Sequence, residues 1–140
     1  MVSAGAYPYD LKAVPAEYSP LVAVIEDDQV SRGALGRVLS AGGFEPALFD
    51  SVETFIASPP ARTLFCVIAD VHLAGMSGID LQRKLQVEGS DLSVIIITAN
   101  RARMVREQAE QAGCAAFLWK PFSAETLLSL LASIGQESHS

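Results

Sequence analysis

Five short apolar runs alternate with five stretches of helical periodicity, and this alternation constrains the fold more than any other feature of the chain. The apolar runs cover residues 21–25, 44–49, 64–70, 94–97 and 115–118. Between and after them, apolar residues recur three or four positions apart, as in amphipathic helices. Strands that alternate with helices indicate an α/β domain with a parallel sheet and right-handed crossovers. The length of 140 residues is enough for one such domain.

The two ends of the chain depart from this pattern. Residues 1–20 carry three prolines and show neither a helical nor a strand period, which predicts an irregular arm. A disordered leader is the simpler interpretation of such a terminus, and a functional arm is the alternative. We assign residues 21–134 to the domain and residues 135–140 to a C-terminal tail.

Composition excludes several functional classes. A net charge of −6 argues against direct nucleic-acid binding, which needs clustered basic residues. No apolar run approaches the roughly 20 residues of a membrane span, and the amino end lacks a secretory signal pattern. We therefore expect a cytoplasmic protein without nucleic-acid or membrane partners. Cys66 and Cys114 lack metal-ligand spacing and are interpreted as reduced structural thiols.

Polar side chains follow four of the five predicted strands. In open parallel sheets, ligands bind in the crevice beyond the carboxyl ends of the strands. We therefore expect these side chains to face one crevice. They are Glu26, Asp27 and Asp28 after the first strand, Asp70 at the end of the third, Thr98 after the fourth run, and Lys120 after the fifth.

These residue types suit one reaction in combination. Converging carboxylates repel one another unless a cation neutralises them, and oxygen ligands favour a hard ion such as Mg²⁺. Beside that ion Asp70 stays ionised and can act as a nucleophile towards a phosphoryl group. Thr98 offers a hydroxyl and Lys120 an ammonium to the phosphoryl oxygens. The small side chain of Ala99 leaves room for that group.

Each residue taken alone has a simpler interpretation. Asp27 and Asp28 could cap the first helix, Thr98 could be a strand-end hydroxyl, and Lys120 could be a solvated turn residue. The residues by themselves do not decide whether Asp27 or Asp28 is the metal ligand. The combination at one predicted edge is what favours a functional site.

Residues 21 to about 134 resemble the receiver domain of bacterial two-component response regulators, most closely the receivers that precede a helix-turn-helix effector. The matching features are the pair Glu26-Asp27, then Asp70, Thr98 and Lys120-Pro121, with intervals of 43, 28 and 22 residues from Asp27 onwards. The segments DVHLAGMSGIDLQ and KPFSAETLL add to the likeness. The resemblance implies a doubly wound, flavodoxin-like five-stranded parallel sheet of order 2-1-3-4-5 with five helices.

The resemblance also implies roles. Asp70 would accept a phosphoryl group from the phosphohistidine of a sensor histidine kinase or phosphotransfer protein. The chain would then not be an enzyme but a phosphoacceptor that assists its own phosphorylation and dephosphorylation. Mg²⁺ would be bound by Asp27, by Asp70, by Glu26 through water and by the backbone carbonyl of His72.

The switch expected from the resemblance pairs Thr98 with Phe117, whose ring moves inward when the hydroxyl turns towards the phosphoryl group. Ordinary core packing is the alternative for Phe117. The output surface, and a possible homodimer contact, would comprise the fourth helix, last strand and last helix, and Lys120-Pro121 would be a cis peptide.

Some residues around the expected phosphoryl site differ from those that are usual in the family. His72, Ala99 and Asn100 would flank the access path of the phosphoryl group. A solvated loop side chain is the alternative for His72. Ala74 stands where proline is usual in the family, so we expect a more mobile loop after Asp70.

Two other functions compete with a phosphorylation-dependent switch. One is a receiver-like docking module that is never phosphorylated, although such modules usually lack an acidic residue, the Asp or the Lys. The other is a metal-dependent phosphohydrolase with an Asp nucleophile, but its second Asp would fall at His72. Whether the chain stands alone or is cut from a longer regulator is open.

Overall fold

A computed structural model describes residues 19–73 and 75–139, in which five strands alternate with five helices as the sequence predicts. The expectations for residues 1–18 and for Ala74 lie outside the described residues. The elements are β1 (Leu21–Ile25), α1 (Gln29–Ala41), β2 (Glu45–Phe49), α2 (Val52–Ala57), β3 (Leu64–Asp70), α3 (Gly78–Val87), β4 (Val94–Thr98), α4 (Arg103–Gln111), β5 (Ala116–Trp119) and α5 (Ala124–His139).

The strands form one sheet of order β2-β1-β3-β4-β5, in which every neighbouring pair is parallel. This confirms the predicted doubly wound topology. The strands β1 and β4 are buried along their whole length, whereas the edge strands β2 and β5 contain no buried residue. The burial explains why the sequences of the inner strands are almost continuously apolar.

Helices cover both faces of the sheet because successive strand residues point to opposite sides. Val22 and Val24 pack with residues of α1 and α5, such as Leu39 and Leu131. The intervening Ala23 and Ile25 of β1 pack with α2, α3 and α4. The two apolar cores leave the carboxyl edge of the sheet as the place where polar side chains can converge.

Side chains fix most helix starts. Asp28, Ser51 and Ser77 cap α1, α2 and α3, and Ser77 forms a reciprocal capping box with Asp80. Ser123 accepts a hydrogen bond from the Thr126 amide at 3.0 Å at the start of α5. The helix α4 begins at Arg103 after a residue that forms no side-chain cap.

The C-terminal helix extends beyond residue 134, and both cysteines are free thiols. The helix α5 runs to His139 and so continues through most of the segment expected as a tail. No helix in residues 19–73 and 75–139 is long and apolar enough to cross a bilayer. Cys66 and Cys114 are free thiols, and burial raises the pKa of Cys66 to about 12.

Candidate functional site

The carboxyl ends of β1, β3 and β5 bring three charged side chains into contact. Lys120, which follows β5, donates from Nζ to Oδ2 of Asp70 at 2.6 Å and to Oε1 of Glu26 at 2.5 Å. These carboxylates follow or end strands that are neighbours in the sheet. The predicted convergence of Glu26, Asp70 and Lys120 is therefore present.

Asp70 is the last residue of β3 and only 5% exposed. Its two carboxylate oxygens have different partners. Oδ1 accepts a hydrogen bond from the backbone N–H of His72 at 2.8 Å, and Oδ2 accepts from Lys120. Because both oxygens are held, the carboxylate has a fixed orientation at the edge of the sheet.

Glu26 is 1% exposed and is bound in a similar way. Oε1 contacts Lys120, and Oε2 accepts from the Asp28 amide at 3.2 Å. Burial raises the pKa of Glu26 above its ordinary value, and the hydrogen bond from Lys120 opposes that rise.

Lys120 lies between two carboxylates and serves as their shared counterion. Burial alone would lower the pKa of Lys120, but the hydrogen bonds to Asp70 and Glu26 together outweigh it and raise this pKa. The Lys120-Pro121 peptide is cis, which confirms the expectation from the family. The Lys120 amide also donates to the Thr98 carbonyl at 2.8 Å, which ties the end of β5 to β4.

The other two acidic residues after β1 have separate surroundings. Asp28 caps α1 by accepting the Ser31 amide at 2.8 Å, and hydrogen bonds with Ser31 lower the pKa of Asp28. Asp27 is exposed beside the buried Glu26. Asp28 is therefore engaged as the cap of α1.

Thr98 is fully buried at the end of β4. Its Oγ1 accepts the Asn100 amide at 3.0 Å, and Oδ1 of Asn100 accepts the Ala102 amide at 2.9 Å. The side chain of Asn100 therefore stabilises the turn before α4. Ala99 between them is exposed.

Phe117 packs partly against the core on the side of α2, α3 and α4. Its ring meets the Trp119 ring edge-on, with centroids 5.5 Å apart and an interplanar angle of 81°. The guanidinium carbons of Arg101 and Arg106 lie 5.2 and 5.1 Å from the Trp119 centroid. The expected switch residue is thus joined to an aromatic and cationic cluster on β5, α4 and the turn before α4.

One contact near the site was not predicted. Oε2 of Glu53 in α2 accepts a hydrogen bond from the Met76 amide at 2.8 Å, in the loop that follows Asp70. The two residues are 23 positions apart, so no local sequence pattern reports their contact.

Residues 22–132 match the family of response regulator receiver domains. The chain belongs to this family. A receiver domain is the phosphorylation-dependent switch of two-component signalling, and the sequence interpretation of fold and function agrees with this membership.

Two transcriptional regulatory proteins are similar in sequence to this chain. FixJ of Bradyrhizobium diazoefficiens is 31% identical over 110 residues, which are 79% of this chain and 54% of FixJ. DctD of Rhizobium meliloti is 34% identical over 110 residues, which are 79% of this chain and 24% of DctD. Both are described as transcriptional regulatory proteins. The chain spans about half the length of FixJ.

Solved structures give the same result for the fold. Full-length FixJ from B. japonicum superposes with a TM-score of 0.78 at 28% identity. The superposition covers 85% of this chain and 59% of the FixJ chain. A response regulator receiver protein from Pseudoalteromonas atlantica superposes with a TM-score of 0.77 at 25% identity, covering 85% of this chain and 99% of the other.

The acidic side chains at this edge of the sheet are oxygen donors of the kind that could bind Mg²⁺. Across residues 19–73 and 75–139, no three His, Cys, Asp or Glu side chains gather into a group that could hold a metal ion. Two carboxylates converge on the Lys120 ammonium instead, with the exposed Asp27 next in sequence to Glu26. The donors are oxygen atoms, the ligand type that Mg²⁺ prefers, so the chemistry of the residues fits this ion.

Proposed function

We propose that Asp70 is the phosphoacceptor of this receiver domain. The contact between Lys120 and Asp70 supports this most directly, because it places a cation against a buried, oriented carboxylate at the edge of the sheet. The donor would be a phosphohistidine on a sensor histidine kinase or phosphotransfer protein. A carboxylate oxygen of Asp70 forms the new P–O bond, the P–N bond breaks, and the electron pair leaves with the imidazole.

Lys120 and Thr98 stabilise the negative charge of the transferred phosphoryl group. The Lys120 ammonium is 2.6 Å from Asp70 Oδ2 and can donate to a phosphoryl oxygen bound to this carboxylate. The Thr98 hydroxyl lies at the end of the adjacent strand and supplies a second donor. Both residues would also assist hydrolysis of the acyl phosphate, which makes the domain a participant in its own dephosphorylation.

The oxygen donors of this edge would hold Mg²⁺. Asp27, Asp70 and the His72 carbonyl would coordinate it, and Glu26 would reach it through water. When bound, this ion neutralises charge on the phosphoryl oxygens. The access path to the phosphoryl group would be flanked by His72, Ala99 and Asn100.

The signal would leave through α4, β5 and α5. Thr98 and Phe117 would couple the phosphorylated site to this surface by shifting the population of two conformations. The same surface is the proposed contact for a homodimer. We further propose that the domain works in the cytoplasm, as part of either a stand-alone receiver or a longer regulator.

Phosphorylation from a small donor tests the central proposal. Incubation with acetyl phosphate and Mg²⁺ should add one phosphoryl group to the wild type, detected by intact mass spectrometry. Asp70→Asn should remain unlabelled, and removal of Mg²⁺ by a chelator should abolish labelling. Asp91→Asn makes the same chemical change at an exposed position and should be labelled normally.

Two outcomes would count against the proposal. Labelling that persists in Asp70→Asn would place the acceptor elsewhere. A wild type that is never labelled, by acetyl phosphate or by any purified kinase, would favour the docking module instead. A phosphotransfer profile against the kinases of the host would identify the partner.

A further inference from the structure

Glu53 connects α2 to the loop that follows Asp70. Its Oε2 accepts the Met76 amide at 2.8 Å, although the side chain belongs to an exposed residue of α2. A free Glu side chain at the surface loses rotamer entropy when it is fixed. A hydrogen bond from an amide to a carboxylate is charge-assisted and can offset that loss. The contact therefore adds a polar restraint to a loop whose Leu73 and Met76 side chains also pack against the core.

The lack of a side chain at Gly75 leaves room for the contact between Glu53 and Met76. It has a φ of +80°, which L side chains rarely adopt. A Cβ at this position would lie 2.5 Å from Oε2 and 3.0 Å from Cδ of Glu53. The absence of a side chain thus lets the carboxylate approach the backbone beside Met76. The hydrogen bond and the close approach at Gly75 both involve Oε2 of Glu53, so a side chain at position 75 would disturb the contact.

The rest of the loop is fixed to the phosphoacceptor and to α3. The His72 amide binds Oδ1 of Asp70 at 2.8 Å, and Ser77 forms the capping box of α3. At Gly78, a Cβ would lie 2.9 Å from the Asp70 carbonyl oxygen. The Glu53 contact lies between these two attachments and is the link to α2.

We propose that Glu53 is a positioning residue that holds the loop after Asp70 so that the His72 backbone is preorganised for the divalent cation. This inference rests on the proposed function of Asp70 and His72. It assigns no direct contact with the phosphoryl group to Glu53. Its effect is on the order of the loop to which both Met76 and His72 belong.

The expected consequence is a change in cation affinity rather than in the chemical step. Without the Glu53 contact the loop samples more conformations, and binding of Mg²⁺ must order it at an entropic cost. We expect the dissociation constant for Mg²⁺ to rise about fivefold in Glu53→Ala. At saturating Mg²⁺ the loop is already ordered, so the maximal rate of labelling by acetyl phosphate should stay close to that of the wild type.

The test compares the wild type with Glu53→Ala, Glu53→Gln and Glu88→Ala. Glu88 is an exposed carboxylate at the C-terminal cap of α3 that pairs with Lys84, so its removal makes the same charge change away from the loop. Amide hydrogen exchange at Met76 is measured by NMR on the unphosphorylated protein, and Mg²⁺ affinity by calorimetry. Labelling by acetyl phosphate is then followed at limiting and saturating Mg²⁺.

Glu53→Ala should speed exchange at Met76 about tenfold or more, since the amide loses its hydrogen bond. It should also weaken Mg²⁺ binding and slow labelling only at limiting Mg²⁺. Glu53→Gln should restore most of both properties, because the amide oxygen still accepts a hydrogen bond. Glu88→Ala should match the wild type.

Unchanged exchange at Met76 in Glu53→Ala would overturn the inference, and so would faster exchange with unaltered Mg²⁺ affinity. These two measurements do not depend on phosphorylation. If no variant is labelled while the exchange and affinity changes occur as expected, the phosphoacceptor proposal fails and the positioning role of Glu53 stands. If labelling follows the proposal but exchange and affinity do not change, only the role of Glu53 fails.

Discussion

The Nζ atom of Lys120 lies 2.6 Å from Oδ2 of Asp70, although 50 residues separate the two in the chain. The same ammonium binds Oε1 of Glu26, so one cation neutralises two buried carboxylates. Removing a partner from such a group leaves uncompensated charge in a poorly solvated place. The contact therefore contributes both to stability and to the orientation of the proposed phosphoacceptor.

Lys120→Met should lower the free energy of unfolding at neutral pH by about 2 kcal/mol. This loss is smaller than that expected for breaking a fully buried ion pair, because the Lys120 side chain is 26% exposed. The folded-state pKa of Lys120 is raised above the ordinary 10.5, so its contribution is complete below pH 10.5. That contribution is lost as the pH rises through the folded-state pKa. Urea unfolding at pH 7 and at increasing alkaline pH should show the difference from wild type shrinking.

Lys84→Met is the matched control for this experiment. Lys84 forms an exposed ion pair with Glu88 one helical turn away, and such pairs contribute about 0.5 kcal/mol or less. A loss of stability equal to that of Lys120→Met would contradict the importance of the buried contact. A difference between Lys120→Met and wild type that persists unchanged at high pH would do the same.

Thr98→Val should destabilise the domain by about 1–2 kcal/mol, because the Asn100 amide loses its acceptor in a part of the structure where Thr98 is fully buried. Thr98→Ser keeps the hydroxyl and should recover the part of the stability that depends on this hydrogen bond. Denaturant unfolding of the two variants measures the difference. Equal stabilities of the Val and Ser variants would show that the hydrogen bond contributes nothing.

Phosphorylation should change the fluorescence of Trp119. This is the single tryptophan of the chain, and its ring contacts Phe117 at a centroid distance of 5.5 Å. If Phe117 moves when Asp70 is phosphorylated, the surroundings of the indole change. Emission spectra recorded before and after acetyl phosphate addition measure this.

Two variants separate switching from mere labelling in this experiment. Asp70→Asn should show no spectral change. Phe117→Leu should still be labelled but should show a smaller change than the wild type. A full-sized change in Phe117→Leu would show that its ring does not couple the site to Trp119.

Substitutions of two glycines should have opposite effects. Gly78→Ala places a Cβ 2.9 Å from the Asp70 carbonyl oxygen, a backbone atom that cannot move without disturbing β3. We expect a loss of about 1–3 kcal/mol. Gly33→Ala in α1 would meet only the flexible end of Arg37 at 3.4 Å and should gain up to about 1 kcal/mol. Thermal unfolding of both variants checks this, and similar stabilities would contradict it.

The strands were predictable because burial on both faces forces continuous apolar runs, as in Val94–Thr98. The start of α4 was less predictable. Its inward face is thin, with Ala109 its one buried residue, and the turn before it depends on the side chain of Asn100. A short apolar stripe gives a weak period, so the sequence does not define where this helix begins.

The convergence of three charged side chains was predictable from the sequence, but their individual contacts were not. Glu26, Asp70 and Lys120 stand out because each follows a strand, and parallel strands end at one edge. The direct contact of Glu26 with Lys120 depends on side-chain reach and on the pairing of strands far apart in sequence. The contact of Glu53 with Met76 depends on how α2 lies against a loop, which no periodicity encodes.

The pair of Glu26 and Lys120 spans 94 residues, from the end of the first strand to the residue after the last. Since β5 is an edge strand that pairs only with β4, Lys120 reaches its partners only after the final strand has been added. A nascent chain still emerging from the ribosome, or one cleaved before β5, has both buried carboxylates but lacks the cation that neutralises them. The candidate site is therefore assembled only when the last strand joins the sheet.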